Sequence, residues 1–157
     1  MTATAGPAAG TTLRITRVID APRERVFRAW TDPDLVREWF GGPVARTSGA
    51  ELDVRVGGTF RIEFESRAGS EVWCCLGSYV EVAPPERLVY TFSWEGPRVS
   101  EIAESLVTVE FRDLGESTEV TIIHERNRTR AVRDFHEGGW RSSLDRLAEL
   151  LREQPAT

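Results

Sequence analysis

The stretch that most constrains this chain is AVRDFHEGGWRSSLDRLAELLR, residues 131–152. Projected at 100° per residue, His136, Trp140, Ser143, Leu144, Leu147, Leu150 and Leu151 fall on one side. Asp134, Glu137, Arg141, Asp145, Glu149 and Arg152 fall on the other. The spacing predicts one long amphipathic helix whose apolar stripe must be buried against a partner surface. Two features exceed the needs of a core helix. Gly138 and Gly139 each cost a helix about 1 kcal/mol relative to Ala, and a His and a Trp sit one turn apart on the buried stripe. The glycines are expected to let the helix approach a bulky neighbour, such as Trp39 or a strand. Room for a ligand beside Trp140 and a local kink are the alternatives.

The surface that such a helix covers is written in the preceding hundred residues. Residues 13–20 (LRITRVID) alternate apolar and polar side chains and read as a first strand. Two short helices follow. The first has Pro22 in its opening turn, Asp20 or Ala21 as cap, and Val26, Phe27 and Trp30 on its buried face. The second has Thr31 or Asp32 as cap, Pro33 at its first position, and Leu35, Val36 and Trp39 inward. Phe40, Gly41, Gly42 and Pro43 stop it.

From there to Glu125 the period is two. Strands are expected over 44–54, 60–64, 71–82 and 87–95, with a loop over 96–103 and a last hairpin of 106–111 and 119–125. Phe60, Ile62 and Phe64 share one face, as do Leu88, Tyr90, Phe92 and Trp94. Val107, Val109, Phe111, Val120, Ile122 and His124 make a further apolar face. In 71–82 either face can point inward: Val72, Cys74, Leu76 and Val80, or Trp73, Cys75 and Tyr79. One-sided strands argue for a single antiparallel sheet with one face covered, and the C-terminal helix is the only element long enough to cover it. The prediction is α+β: six to seven antiparallel strands curved round one helix, leaving space between them where a ligand would sit.

Composition removes several classes of function. A net charge of −5 argues against nucleic acid as the partner. All twenty basic residues are Arg, so Lys-based chemistry is excluded. Cys74 and Cys75, neighbours on a strand, point to opposite faces and do not suit a disulfide or a metal pair. No dinucleotide, P-loop, nucleophile or metal motif occurs, and no cofactor or metal is expected. No apolar run approaches a membrane span, and the N-terminus lacks the pattern of a secretory signal, so a cytoplasmic protein is expected. Residues 1–11 read as a disordered tail and 12–153 as one domain.

The order and spacing of IDAPRERVFRAWTDPDLVREWFGG (19–42), VGGTFRIEF (56–64), GSYVEVAPPERLVYTFSWEG (77–96), SLVTVEF (105–111) and HEGGWRSSLDRLAELL (136–151) resemble the START/Bet v 1-like superfamily. The similarity is to the group related to the C-terminal domain of the Hsp90 ATPase activator. It implies a helix-grip fold with a cavity between sheet and helix. It leaves open three roles: binding of a small hydrophobic or lipid-like molecule, an activator-like co-chaperone or stress-response role with an Hsp90 homologue as partner, and a polyketide cyclase-like activity.

The first role is the main expectation. Its candidate ligand-binding residues are Trp39, Phe40, Phe60, Ile62, Phe64, Leu76, Tyr90, Phe92, Trp94, His136, Trp140 and Leu144. His136 and His124 are the only candidates for acid–base chemistry. A structural reading, with each imidazole hydrogen-bonded to a strand or loop, is preferred for both. The sheet edges and the outer sheet face are available for a homodimer.

Overall fold

Each alternating segment forms a strand, and the strands join into one antiparallel sheet. In the computed structural model, which describes residues 11–41, 45–96 and 103–153, the order along the chain is β1 (Leu13–Ile19), α1 (Arg23–Thr31), α2 (Pro33–Trp39), β2 (Ala45–Leu52), β3 (Thr59–Ser66), β4 (Val72–Ala83), β5 (Arg87–Glu95), β6 (Ser105–Asp113), β7 (Thr118–Glu125) and α3 (Arg130–Glu153). Across the sheet the order is β1-β7-β6-β5-β4-β3-β2. Every neighbour is antiparallel. Six strands are linked in sequence, and β1 closes the far edge against β7.

The register puts the apolar residues of neighbouring strands on one face. Val109 pairs with Ile122, and Phe111 with Val120. Ile122 also pairs with Ile15. Val107, Val109, Val120 and Ile122 are fully buried. The same parity carries His124 inward, between Leu13 of β1 and Val107 of β6. Bulges between Thr47 and Gly49 and between Tyr79 and Glu81 add local twist. At Gly77 the two strands come so close that a Cβ would stand 1.9 Å from the Thr91 carbonyl oxygen, so only glycine fits there.

Strand β4 resolves the open choice of face. Cys75 and Tyr79 are buried in the core, and Trp73 packs against it from a half-buried position. Val72 and Val80 are exposed. Leu76 pairs with Arg61 and Ser93 on the outer face, so its expected place in the cavity is corrected: one-residue alternation turns it away once Cys75 points in.

Helix α3 lies on the inner face of the sheet and buries Trp140, Leu144, Leu147 and Leu151. It starts one residue earlier than expected, where the Thr129 hydroxyl accepts from the Val132 N–H. Helices α1 and α2 close one end of the groove through edge-on aromatic contacts. The centroid distances are 5.3 Å for Phe27–Phe111, 5.4 Å for Trp30–Phe111 and 4.6 Å for Trp30–Trp39. Asp32 caps α2 by accepting from the Asp34 N–H, with Pro33 in the first turn as anticipated. Helix α1, by contrast, is preceded by Pro22 with no side-chain cap, not by the expected Asp20 or Ala21.

The expected tail lies, except for Thr11, outside the described residues, as do Gly42, Pro43, Val44 and most of the expected loop over 96–103. Thr11 itself is buried and its carbonyl accepts from Asn127 Nδ2 at 2.9 Å, so it belongs to the fold and not to a tail. Among the described residues no helix is long and apolar enough to cross a membrane.

Candidate functional site

Sheet and helix do not meet along their whole length. Near the N-terminal half of α3 they part around a pocket of about 420 Å³. Phe64 of β3, Trp73 of β4, and Phe92 and Trp94 of β5 form its sheet side, and Phe40 and Gly41 after α2 form its end. Phe135, His136, Gly138, Gly139, Trp140, Ser142 and Ser143 of α3 form the helix side. The walls are mostly aromatic rings in mutual contact. Phe40 and Phe64 stack at 6.1 Å, Phe64 and Trp94 meet at 6.0 Å, and Phe40 meets Trp140 edge-on at 5.5 Å. Phe135 is half exposed and packs on Trp94 at 5.8 Å, marking the mouth with Asp134. The Asp134 carboxylate pairs with Arg133 at 2.7 Å. Ser143 ties helix to loop: its Oγ accepts from the Gly41 N–H and donates to the Gly41 carbonyl, both at 3.1 Å.

The glycine pair has the opposite role to the one expected. Among the described residues, a Cβ built on Gly138 or Gly139 would meet nothing within 4 Å. No described residue approaches the helix there; the missing side chains leave open space that forms part of the pocket.

Behind the pocket lies a closed polar network. Trp140 Nε1 donates to His124 Nδ1 at 3.0 Å, which puts the His124 proton on Nε2, 2.7 Å from Ser105 Oγ. Ser105 Oγ in turn donates to the Phe92 carbonyl at 3.0 Å. Trp94 Nε1 donates to His136 Nε2 at 2.9 Å, so His136 Nδ1 carries the proton and donates to Asn127 Oδ1 at 2.6 Å. Asn127 Nδ2 donates to the carbonyls of Thr11 and His124 at 2.9 and 2.8 Å.

The two imidazoles stack with centroids 4.2 Å apart. Burial pushes the His136 pKa down to about 4. Burial, reinforced by the neighbouring His136, pushes His124 well below the ordinary range. Both rings are therefore neutral at pH 7, and every ring nitrogen already has a partner. A general base needs a lone pair facing its substrate, and neither histidine offers one.

The sequence pattern of the activator of Hsp90 ATPase homolog 1-like proteins matches residues 20–152. The chain belongs to this family. Solved structures agree in fold. A protein from Chromobacterium violaceum is 28% identical with a TM-score of 0.79, covering 93% of this chain and 99% of its own. One from Nitrosomonas europaea is 25% identical at 0.77, covering 93% and 97%. One from Silicibacter pomeroyi, at 24% identity, superimposes at 0.81 over 92% and 99%. No curated protein matches the chain.

Within this activator-homolog-like domain the twelve sequence-derived candidates separate. Phe40, Phe64, Phe92, Trp94, His136 and Trp140 come together at the pocket. Trp39, Phe60, Ile62 and Tyr90 instead surround a second, inner void of about 20 Å³, sharing Phe40 and Phe92 with the first. Leu144 is buried under the sheet and lines neither space, and Leu76 faces outward.

Trp73, Phe135, Gly138, Gly139 and Ser142 were not among the candidates. A signal for most of them exists. Phe135, Gly138, Gly139 and Ser142 stand at i, i+3, i+4 and i+7, a second helical stripe beside the core stripe. Its small residues mark the face that lines the pocket.

The inner void has one further property. Trp39 Nε1 donates to the Ala29 carbonyl at 2.9 Å, and the indoles of Trp94 and Trp140 are satisfied as described. Among the described residues the buried Trp30 Nε1 has no acceptor within hydrogen-bond distance. A buried donor left in this state costs about 1–3 kcal/mol. It lies near enough to the Tyr90 hydroxyl to oppose, in part, the rise that burial imposes on that phenol.

Proposed function

We propose that this protein binds a small hydrophobic molecule in the pocket between the sheet and α3. The observation that carries this reading is the pair Gly138–Gly139: a helix bears the cost of two adjacent glycines where no described residue comes within 4 Å of the missing side chains, and the space they leave is walled by aromatic rings. A volume of about 420 Å³ lies in the range of small-molecule sites. Binding would proceed by enclosure, with about 25 cal/mol gained per Å² of apolar surface removed from water. The closed His124–His136 network supports a structural role for both imidazoles and weighs against a cyclase-like reaction run by either.

The test is titration with the neutral fluorophore N-phenyl-1-naphthylamine. Saturable binding with one site per chain and a rise in melting temperature are expected. Gly139→Leu should fill the pocket and weaken binding at least tenfold with unchanged circular dichroism. Equal binding by Gly139→Leu would place the dye elsewhere and reject the reading.

Family membership favours a second reading, a co-chaperone-type interaction. Stimulation of the ATPase of the cell's own Hsp90 homologue by the wild-type chain would support it, and absence of stimulation at saturating protein would reject it.

A further inference from the structure

We infer that the ligand carries a neutral hydrogen-bond acceptor, such as a ketone, aldehyde, ester or ether oxygen, that passes between Phe40 and Phe92 and is received by the Trp30 indole N–H in the inner void. This rests on the pocket reading above and specifies the chemistry of its occupant.

Three observations combine. The two spaces are neighbours in the fold: Phe40 and Phe92 line both, and Trp30 stacks at 6.4 Å on Trp140, a wall of the outer pocket. The inner space, about 20 Å³, has room for one oxygen-sized group. Among the described residues the buried N–H of Trp30, a side chain that lines this space, has no acceptor within hydrogen-bond distance, while Trp39, Trp94 and Trp140 each have one. A buried, unpaired donor discriminates for a ligand that satisfies it, because an analogue lacking the acceptor leaves the donor unpaired.

The same surroundings select against an anion. The charged side chain lining these two spaces, among the described residues, is Asp134 at the mouth. Among the described residues a carboxylate would meet no cation inside, and the burial of its charge would go uncompensated.

The experiment compares three naphthalenes of nearly equal shape on the whole chain by calorimetry: 2-acetylnaphthalene, 2-isopropenylnaphthalene, in which CH₂ replaces the ketone oxygen, and 2-naphthoate. The ketone is expected to bind at least tenfold more tightly than the hydrocarbon and the carboxylate. Trp30→Phe should bring the ketone-to-hydrocarbon ratio close to one. Because Trp30 is packed in the core, a second readout uses the wild-type chain: the Trp30 indole ¹H–¹⁵N resonance should move downfield with the ketone and not with the hydrocarbon.

Equal affinity of ketone and hydrocarbon, or a preference that survives Trp30→Phe, would overturn the acceptor while leaving the pocket intact. Failure of all three to bind would overturn the pocket reading and this inference with it.

Discussion

His124 and His136 stack at 4.2 Å, a distance that suits two neutral rings and not two cations. The consequence is a pH dependence of known sign. In the unfolded chain both rings titrate near pH 6.5; in the folded protein His136 holds off protonation until about pH 4, and His124 is also depressed. Between these values the unfolded state binds more protons, so stability is fully present above pH 6.5 and is lost as pH falls toward 4. The expected slope is about 1.4 kcal/mol per pH unit for each ring. Melting temperature followed from pH 7.5 to 4 measures it. Imidazole carbon-bound proton shifts should be flat above pH 5.5, and midpoints near 6.5 for both rings would contradict the buried neutral pair. The sequence allowed His124 an inward position by register and assigned both imidazoles a structural role. It could not supply their partners, because Trp94, Ser105 and Asn127 lie 42, 19 and 9 residues away from the histidine that each one contacts.

At the scale of the element, α3 carries two stripes. The core stripe through Trp140, Leu144, Leu147 and Leu151 was legible because burial follows hydrophobic periodicity directly. The pocket stripe through Phe135, Gly138, Gly139 and Ser142 was not. Its signature is missing side chains, which tight packing and open space produce alike. Substitution separates the two causes. Since a Cβ at either glycine touches none of the described residues, Gly138→Ala and Gly139→Ala should each stabilise the fold by about 1 kcal/mol through helix propensity alone. Denaturant midpoints at constant m-value test this. A loss of more than about 1 kcal/mol in either variant would show that a neighbour does press on the helix. The face of β4 posed a similar ambiguity. Val72, Leu76 and Val80 are as apolar as Trp73, Cys75 and Tyr79, and only pairing with β3 and β5 selected the inward set.

The whole molecule is one sheet curved over one long helix, so the core side of β4 is exposed only when that sheet opens. Cys74 and Cys75 report on this. Both are free and buried on opposite faces of β4, and burial raises both thiols above their ordinary pKa, Cys75 the more strongly. Neither should react with a thiol reagent in the native state on the timescale of folding measurements. On addition of denaturant both should react together, at the rate of global unfolding. Fast labelling of Cys75 in native buffer would reveal local opening of β4.

The alternation of strands, the long helix, the proline-marked helix starts and the inner faces of β3, β5, β6 and β7 were determined by the sequence alone, since each depends on residues a few positions apart. Tertiary structure decided what depends on distant residues meeting: the place of β1 beside β7, the closed histidine network, the division of the aromatic set between two spaces, and the unsatisfied indole of Trp30. A pocket is a property of what surrounds it, and a local pattern can mark its walls but not its volume.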